Sequence, residues 1–289
     1  MIQHDSVSAI LQHKAEAWER EILDYIERYS DNMVARKILP IRNVGASIEI
    51  DVVTTYDRTG GGAAVCAKGV VPSPTGVRAK RTNHSIYQIL DGFDIHEKDL
   101  NLDPKLKARE IDICMRNIHK AEDDLCLNGS TTLNVTGITS AVPSSNQIST
   151  STNHGAWDSS EANDIHADFV AAINLIDSDF EPVFCAGNPT DINYLNTLDS
   201  ERQPYWKTVI DLFPGAKSKS DFLFKSNRIT AGTVYIGPKD VLAAELVVSE
   251  NPKVVTLPLQ RGRVYPVEVY EWVTPEIHNT DAFVSIATG

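Results

Sequence analysis

The sequence predicts an α+β fold. A long helix lies on antiparallel strands, and a second α/β region is inserted between the two. Three stretches predict it. Residues 103–129 hold one unbroken helical pattern. Residues 47–56 alternate apolar and polar side chains and run into a glycine-rich turn. After residue 253, strand-like runs follow one another with no helix between them.

The long helix organises the rest. Asp103 is placed to cap the first free N–H groups, and Pro104 suits the first helical position. Gly129 follows directly, where a left-handed cap wants no side chain. Between them Leu106, Ile111, Cys114, Ile118, Ala121 and Leu125 form one apolar stripe. About 25 residues of helix span roughly 37 Å, about twice the usual length, so the element reads as a strut. Val135 to Ile138 reads as a turn into a new region.

Ahead of the strut, residues 6–39 read as one amphipathic helix. Leu11, Ala15, Trp18, Ile22, Tyr25 and Tyr29 step by three and four, Ser30-Asp31-Asn32 offers a break, and Pro40 ends it. It packs on its own domain or reaches a neighbouring subunit; the pattern fits both. In Ser47 to Tyr56, Ile48, Ile50, Val52 and Tyr56 face one way. Asp57-Arg58-Thr59-Gly60-Gly61-Gly62 is the turn, and Ala63 to Val70 the returning strand. The glycine run is no phosphate loop, because no Gly-Lys-Ser/Thr follows it. Arg78, Lys80 and Arg81 make a small basic cluster after a Pro-rich loop. A lone two-stranded hairpin is marginal in water, so this one has to lean on another surface. Ser85 to Ile95 reads as a strand buried on both faces beside the long helix.

Beyond it, 139–163 is rich in Ser, Thr and Asn and reads as loop. Ala162 to Asp177 is helical, Pro182 to Ala186 a buried strand, and Pro189 to Leu195 a helix capped by Asn188. Phe222 to Phe224 and Thr233 to Ile236 are short strands. Val254 to Leu257, Val264 to Val273 and Ala282 to Ile286 should form an antiparallel sheet under the long helix. Ile111, Ile118 and Leu125 are expected to pack there on Val267, Val269 and Ile286. The chain thus leaves the helix, builds a second domain and returns to finish the first.

Composition sets bounds. The 289 residues are 42% hydrophobic and 23% charged, ordinary for a folded soluble chain. A net charge of −12 argues against a dedicated nucleic-acid binder, though not against a surface that faces nucleic acid. No apolar run reaches membrane-span length, and the first residues lack signal-peptide shape. Cys66, Cys114, Cys126 and Cys185 are scattered; Cys114 and Cys126, about 18 Å apart along one helix, cannot bridge. Reduced, buried thiols are expected.

Catalytic and metal motifs are missing. The eight histidines form no His-Glu-x-x-His, and the cysteines no Cys-x-x-Cys. His119 and Cys126 stand seven residues apart on one helix, too far for shared ligation. No Gly-x-Ser-x-Gly elbow occurs. Glu122, Asp123 and Asp124 oppose the helix dipole; they read as a solvated or inter-subunit ion-pair cluster, with Arg78 or Lys80 as partners. No catalytic residue, cofactor or metal is expected.

The order of elements resembles that of tailed-phage major capsid proteins of the Hong Kong 97-type fold, which encapsulin shells share. The local likeness lies in Gly92-Phe93-Asp94-Ile95, Asp99-Leu100, Ala121-Glu122-Asp123, Asn128-Gly129 and Gly137-Ile138. The resemblance implies an N-terminal arm at 1–43 and an extended loop hairpin at 44–84. It implies a peripheral domain at 85–130 with 251–289, and an axial domain at 131–250. It implies no enzyme but a shell subunit in a virion, assembled in the host cytoplasm as pentamers and hexamers around double-stranded DNA. Portal, scaffold or decoration proteins are possible further partners; no large fused scaffolding segment and no membrane are expected. The assembly residues would be Tyr56, Asp57, Arg58, Gly60, Gly61, Gly62, Arg78, Lys80 and Arg81 in the loop region, with Trp18 and Ile22 in the arm. Some relatives are crosslinked between a lysine and an asparagine. Lys68 and Asn279 stand nearest that pattern, but only Asp281 follows Asn279 as an acid, which argues against a crosslink here. The alternative is an encapsulin-type compartment around a protein cargo. A soluble metabolic enzyme, from another class, lacks any catalytic constellation.

Overall fold

The structure is a computed structural model that describes residues 33–46, 49–59, 76–96, 98–99, 104–149, 155–158, 162–198, 202–258 and 263–289. Most of the arm, with Trp18 and Ile22, lies outside them, as do Gly60, Gly61, Gly62, Cys66, Lys68 and Asp103. The described chain begins with a short helix, α1 (Val34–Ile38), ended by Pro40 as expected.

Four strands build the first sheet: β1 (Ile41–Asn43), β4 (Tyr87–His96), β11 (Ala244–Thr256) and β12 (Val264–Ile277), in the order β1-β11-β12-β4. β1 runs parallel to β11; the other pairs are antiparallel. The spine helix, α2 (Pro104–Asn128), lies across it. Its buried face is Ile111, Cys114, Met115 and Ile118, packed on Val269 with Ile89, Phe93 and Val254. The helix stops where the sequence says it must. Gly129 has φ +73°, and a Cβ there would collide with the Val135 carbonyl and the Gly137 amide. β5 (Gly129–Ser130) then pairs with β6 (Val135–Thr136).

Four expectations fail. Ala121 is exposed; Glu122 continues the 111–115–118 face in its place. β4 is not buried on both sides but alternates as an edge strand, with Leu90 53% exposed. The stretch 139–163 holds a helical turn, α3 (Ile138–Ala141), and a short strand, β7 (Gln147–Ile148). Last, Val284–Ala287 (β13) does not join the sheet under the spine helix. It sits in a second sheet, ordered β7-β13-β10-β8-β9, with β8 at Phe184–Gly187, β9 at Leu223–Lys225 and β10 at Thr233–Gly237. Ile286 pairs with Val234 there and never meets Ile118. The apolar run was read correctly as a strand; its partner was chosen by long-range pairing.

Helix α4 (Ala162–Ile173) covers the second sheet, burying Ile165, Phe169 and Ala172 on Val284 and Ile286. Asn188 caps the next helix, α5 (Pro189–Tyr194), accepting from the Thr190 amide at 3.1 Å. A third core welds the two sheets. Ile38, Leu39, Cys126, Leu127, Phe184, Leu246, Val273 and Phe283 meet in it, so α1, the spine helix and both sheets share one apolar cluster.

Candidate assembly surfaces

The hairpin stands apart from both sheets. Among the described residues β2 (Glu49–Thr59) and β3 (Gly76–Ser85) pair only with each other, antiparallel, from Glu49↔Ser85 to Thr59↔Gly76. The strand that pairs with β2 is therefore 76–85; the expected strand Ala63 to Val70 lies outside the described residues. Arg78, Lys80 and Arg81 belong to a strand, not to a cluster after a loop. The register sets Asp57 opposite Arg78, Tyr56 opposite Ala79, Arg58 opposite Val77, Lys80 opposite Thr55 and Arg81 opposite Val53. A bulge interrupts the ladder between Val53 and Thr55, which increases local twist and bends the ribbon.

The base of the ribbon is anchored. Ile50 and Ile86 bury on Val247, with Val44 and Trp272 packed beside them. His84 Nδ1 lies 2.6 Å from Glu276 Oε2, tying β3 to β12. Burial raises the Glu276 carboxyl above its ordinary range, and His84 opposes that shift. Glu276 faces Glu245 across the β11–β12 ladder, and Arg42 Nη1 donates to Glu245 Oε1 at 2.8 Å. His278 Nε2 lies 3.3 Å from the same oxygen.

The root of the arm is anchored by the acidic end of the spine helix. Asp123 accepts from the Ala35 amide at 2.9 Å and the Val34 amide at 3.3 Å, a cap supplied from 88 residues away. Arg36 Nε donates to both Glu122 oxygens at 2.9 and 3.1 Å, and Nη2 to Oε2 at 2.6 Å. The same Nη2 reaches Glu271 Oε2 at 3.1 Å. Glu122 and Glu271 are fully buried. Burial works against the Arg36 charge, but Glu122 and Glu271 outweigh it and raise its pKa. Burial, then the charge of Glu122, raises Glu271 well above the carboxylate range. Its Oε1 has no hydrogen-bond partner among the described residues.

Glu122 and Asp123 are thus buried, not solvated as the sequence suggested, and the side chains of Arg78 and Lys80 lie outside the described residues. The cluster is an internal clamp between arm, spine and sheet; only Asp124 is exposed. Arg36 and Glu271 were missed. A period-two reading could have found Glu271, which is in phase with buried Val267, Val269 and Val273.

Nothing among the described residues gathers three groups able to hold a metal. His119 is buried, and that burial pushes its pKa down to about 4. Cys114, Cys126 and Cys185 are free and buried, and burial drives the Cys114 thiol up to about 12. Asn279 caps the turn before β13, accepting from the Asp281 amide at 2.9 Å and donating to Asp177 at 3.2 Å.

No protein-family model and no curated protein matches the chain. Solved structures do. The capsid of an empty GTA particle matches with TM-score 0.67 at 12% identity, over 89% of this chain and 90% of that one. The capsid of Myoviridae phage XM1 matches with TM-score 0.64 at 13% identity, over 89% and 91%. The holo-SrpI encapsulin of Synechococcus elongatus matches with TM-score 0.56 at 12% identity, over 87% and 85%. At such identities the likeness speaks to the fold alone, and the fold shared by phage capsids and encapsulins, the Hong Kong 97 type, is the fold of this chain.

Proposed function

We propose that the chain is a major capsid protein that self-assembles into an icosahedral shell around a double-stranded DNA genome. The observation that supports it most is the near end-to-end match, about nine-tenths of both chains, to two particle capsids. The hairpin adds a physical reason. Two strands with no third partner among the described residues have little to stabilise them alone. Laid on a neighbouring subunit, the ribbon buries its faces, as a ring-forming heterologous contact requires. In this reading residues 1–43 are an arm, 44–84 an extended loop, 85–130 with 251–289 a peripheral domain and 131–250 an axial domain. Strand β13 then crosses from the peripheral segment into the axial sheet.

Tyr56, Asp57, Arg58, Gly60, Gly61, Gly62, Arg78, Lys80 and Arg81 would make the loop contacts, and Trp18 and Ile22 those of the arm. The subunits would meet as pentamers and hexamers, with portal, scaffold or decoration proteins as further partners. The shell would be assembled in the host cytoplasm and carried in the virion. No catalytic role is proposed.

The second reading is an encapsulin-type compartment around a protein cargo, favoured by the SrpI match. Light scattering after size exclusion tests assembly; the proposal expects megadalton particles or ring-shaped capsomers. Nuclease-protected DNA inside particles from the native host supports the capsid. A single co-purifying protein in place of DNA supports the compartment. A stable monomer at every salt, pH and concentration, with or without neighbouring gene products, overturns both.

A further inference from the structure

The root of the ribbon docks on a row of charges that crosses the first sheet. His84 and Ile50 are register partners, so both side chains leave the ribbon on one face. From that face Ile50 buries on Val247, and His84 Nδ1 reaches Glu276 Oε2 at 2.6 Å. On the sheet, Glu245 stands opposite Glu276 and two residues from Val247, on the same face of β11. Arg42 completes the row from β1, with Nη1 2.8 Å from Glu245 Oε1. The row runs Arg42, Glu245, Glu276, His84, one residue from each of β1, β11, β12 and β3.

Its charges do not balance at every pH. Both acids are buried, and like charges directly opposite on neighbouring strands repel. Against them Arg42 is one permanent cation. The other partners are imidazoles: His84 on Glu276, and His278, whose Nε2 lies 3.3 Å from Glu245 Oε1. Glu245 Oε2 has no hydrogen-bond partner among the described residues. Beside the pair, Tyr87 donates its hydroxyl to the Leu133 carbonyl at 2.6 Å, and Asn134 and Thr274 carry no charge. Glu49 is exposed on the other face of the ribbon, opposite Ser85. Histidine is the side chain whose charge ordinarily changes between about pH 5 and 8. Charged, the two imidazoles join Arg42 in compensating the acids; neutral, they leave Arg42 alone against two carboxylates.

Protons can reach the row. His84 is 37% exposed and Glu276 4%, and a cavity of about 360 Å³, lined by both, lies beside them. Burial raises the Glu276 carboxyl. A raised carboxyl favours the docked state below its undocked value, and that contribution is lost as pH rises through the docked one. A charged imidazole on Glu276 acts in the same direction, since its attraction is present in acid and lost in alkali. The apolar hold on the root, through Ile50, Ile86, Val44 and Trp272, is indifferent to pH.

We propose that this row is a proton-operated fastener for the hairpin: with His84 charged the ribbon is held on the first sheet, and with His84 neutral its root is released. The fastener rests on the geometry; its use, freeing the ribbon to reach a neighbouring copy, rests on the capsid reading.

The test uses full-length dissociated subunits and hydrogen exchange at about pH 6 and about pH 8.5. Protection at 84–87 is corrected for the free-chain rate at each pH. It is then divided by protection at 111–118 in the spine helix, which reports the rest of the fold. In wild type the ratio should fall roughly ten-fold at the higher pH, the worth of one charge-assisted hydrogen bond. His84→Lys, charged at both values, should keep the ratio high at both. Glu276→Gln should also flatten the profile, because no charge then faces Glu245. His278→Gln should leave the fall in place. A wild-type ratio equal at both values overturns the proposal. So does a fall that persists in His84→Lys, or one that disappears in His278→Gln alone. If His84→Lys does not fold, a fall that persists in Glu276→Gln overturns it as well. Shells that form while the ratio stays flat defeat the fastener and leave the capsid reading standing. A working fastener in a chain that never assembles supports the proposal and defeats the shell.

Discussion

Replacing Arg36 by methionine should strand two buried carboxylates against each other. Arg36 donates four hydrogen bonds to Glu122 and Glu271, at 2.6 to 3.1 Å. Removing one member of a buried ion cluster costs about 3–5 kcal/mol, because the remaining charge loses its compensation. That is a large share of a total of roughly 5–15 kcal/mol. The loss should depend on pH, with a definite sign. Burial already holds the Glu271 pKa above its unfolded value, and without the guanidinium it should rise further. A carboxyl raised in the folded state favours folding below its unfolded pKa, and that contribution disappears as pH rises through the folded value. The variant should therefore be most impaired near about pH 8 and recover toward about pH 5. Urea melts of dissociated subunits at both values measure it. The triple change Arg36→Met, Glu122→Gln, Glu271→Leu should restore most of the loss at the higher pH. A penalty that is the same at both pH values, or below about 0.5 kcal/mol, refutes the clamp.

Three further outcomes follow from the same structure. Ile118→Ala should cost about 2–5 kcal/mol in urea melts, since Ile118 is 1% exposed against Val269, whereas exposed Ala121→Ser should stay within about 0.5 kcal/mol. His119, lowered to about 4, stabilises above about pH 6.5 and loses that as pH falls; Asp123, raised by burial to about 6, stabilises below about pH 4 and loses that as pH rises. The two oppose each other at roughly 3 kcal/mol each, so His119→Gln should make stability fall with rising pH between about 4 and 6, and Asp123→Asn the reverse; equal flat profiles in both variants count against the assignment. Excising Val53 to Arg81 and joining Val52 to Thr82, its register partner, through Asn-Gly should leave a folded subunit that forms no particles; an unfolded product would place the ribbon in the core.

What the sequence revealed follows from the range of each interaction. The spine helix was legible because Pro104, the apolar steps and Gly129 are local signals. The strand at Gly76 to Ser85 was not legible because it carries Arg78, Lys80 and Arg81 with few apolar residues. Pairing with Glu49 to Thr59, rather than propensity, makes it a strand. Glu122 was set on the surface because its partner, Arg36, lies 86 residues away. Strand β13 was recognised but assigned to the wrong sheet for the same reason: nothing within Val284 to Ala287 names Thr233 to Gly237 as its neighbour.

In the proposed reading, copies of this chain close into a shell. Electron microscopy of the purified full-length protein, alone and with its genomic neighbours expressed beside it, tests it directly. The account predicts hollow icosahedral particles whose subunits hold the β2–β3 ribbon against a neighbour. Monodisperse small oligomers in every preparation, or particles in which the ribbon touches no other subunit, would contradict it.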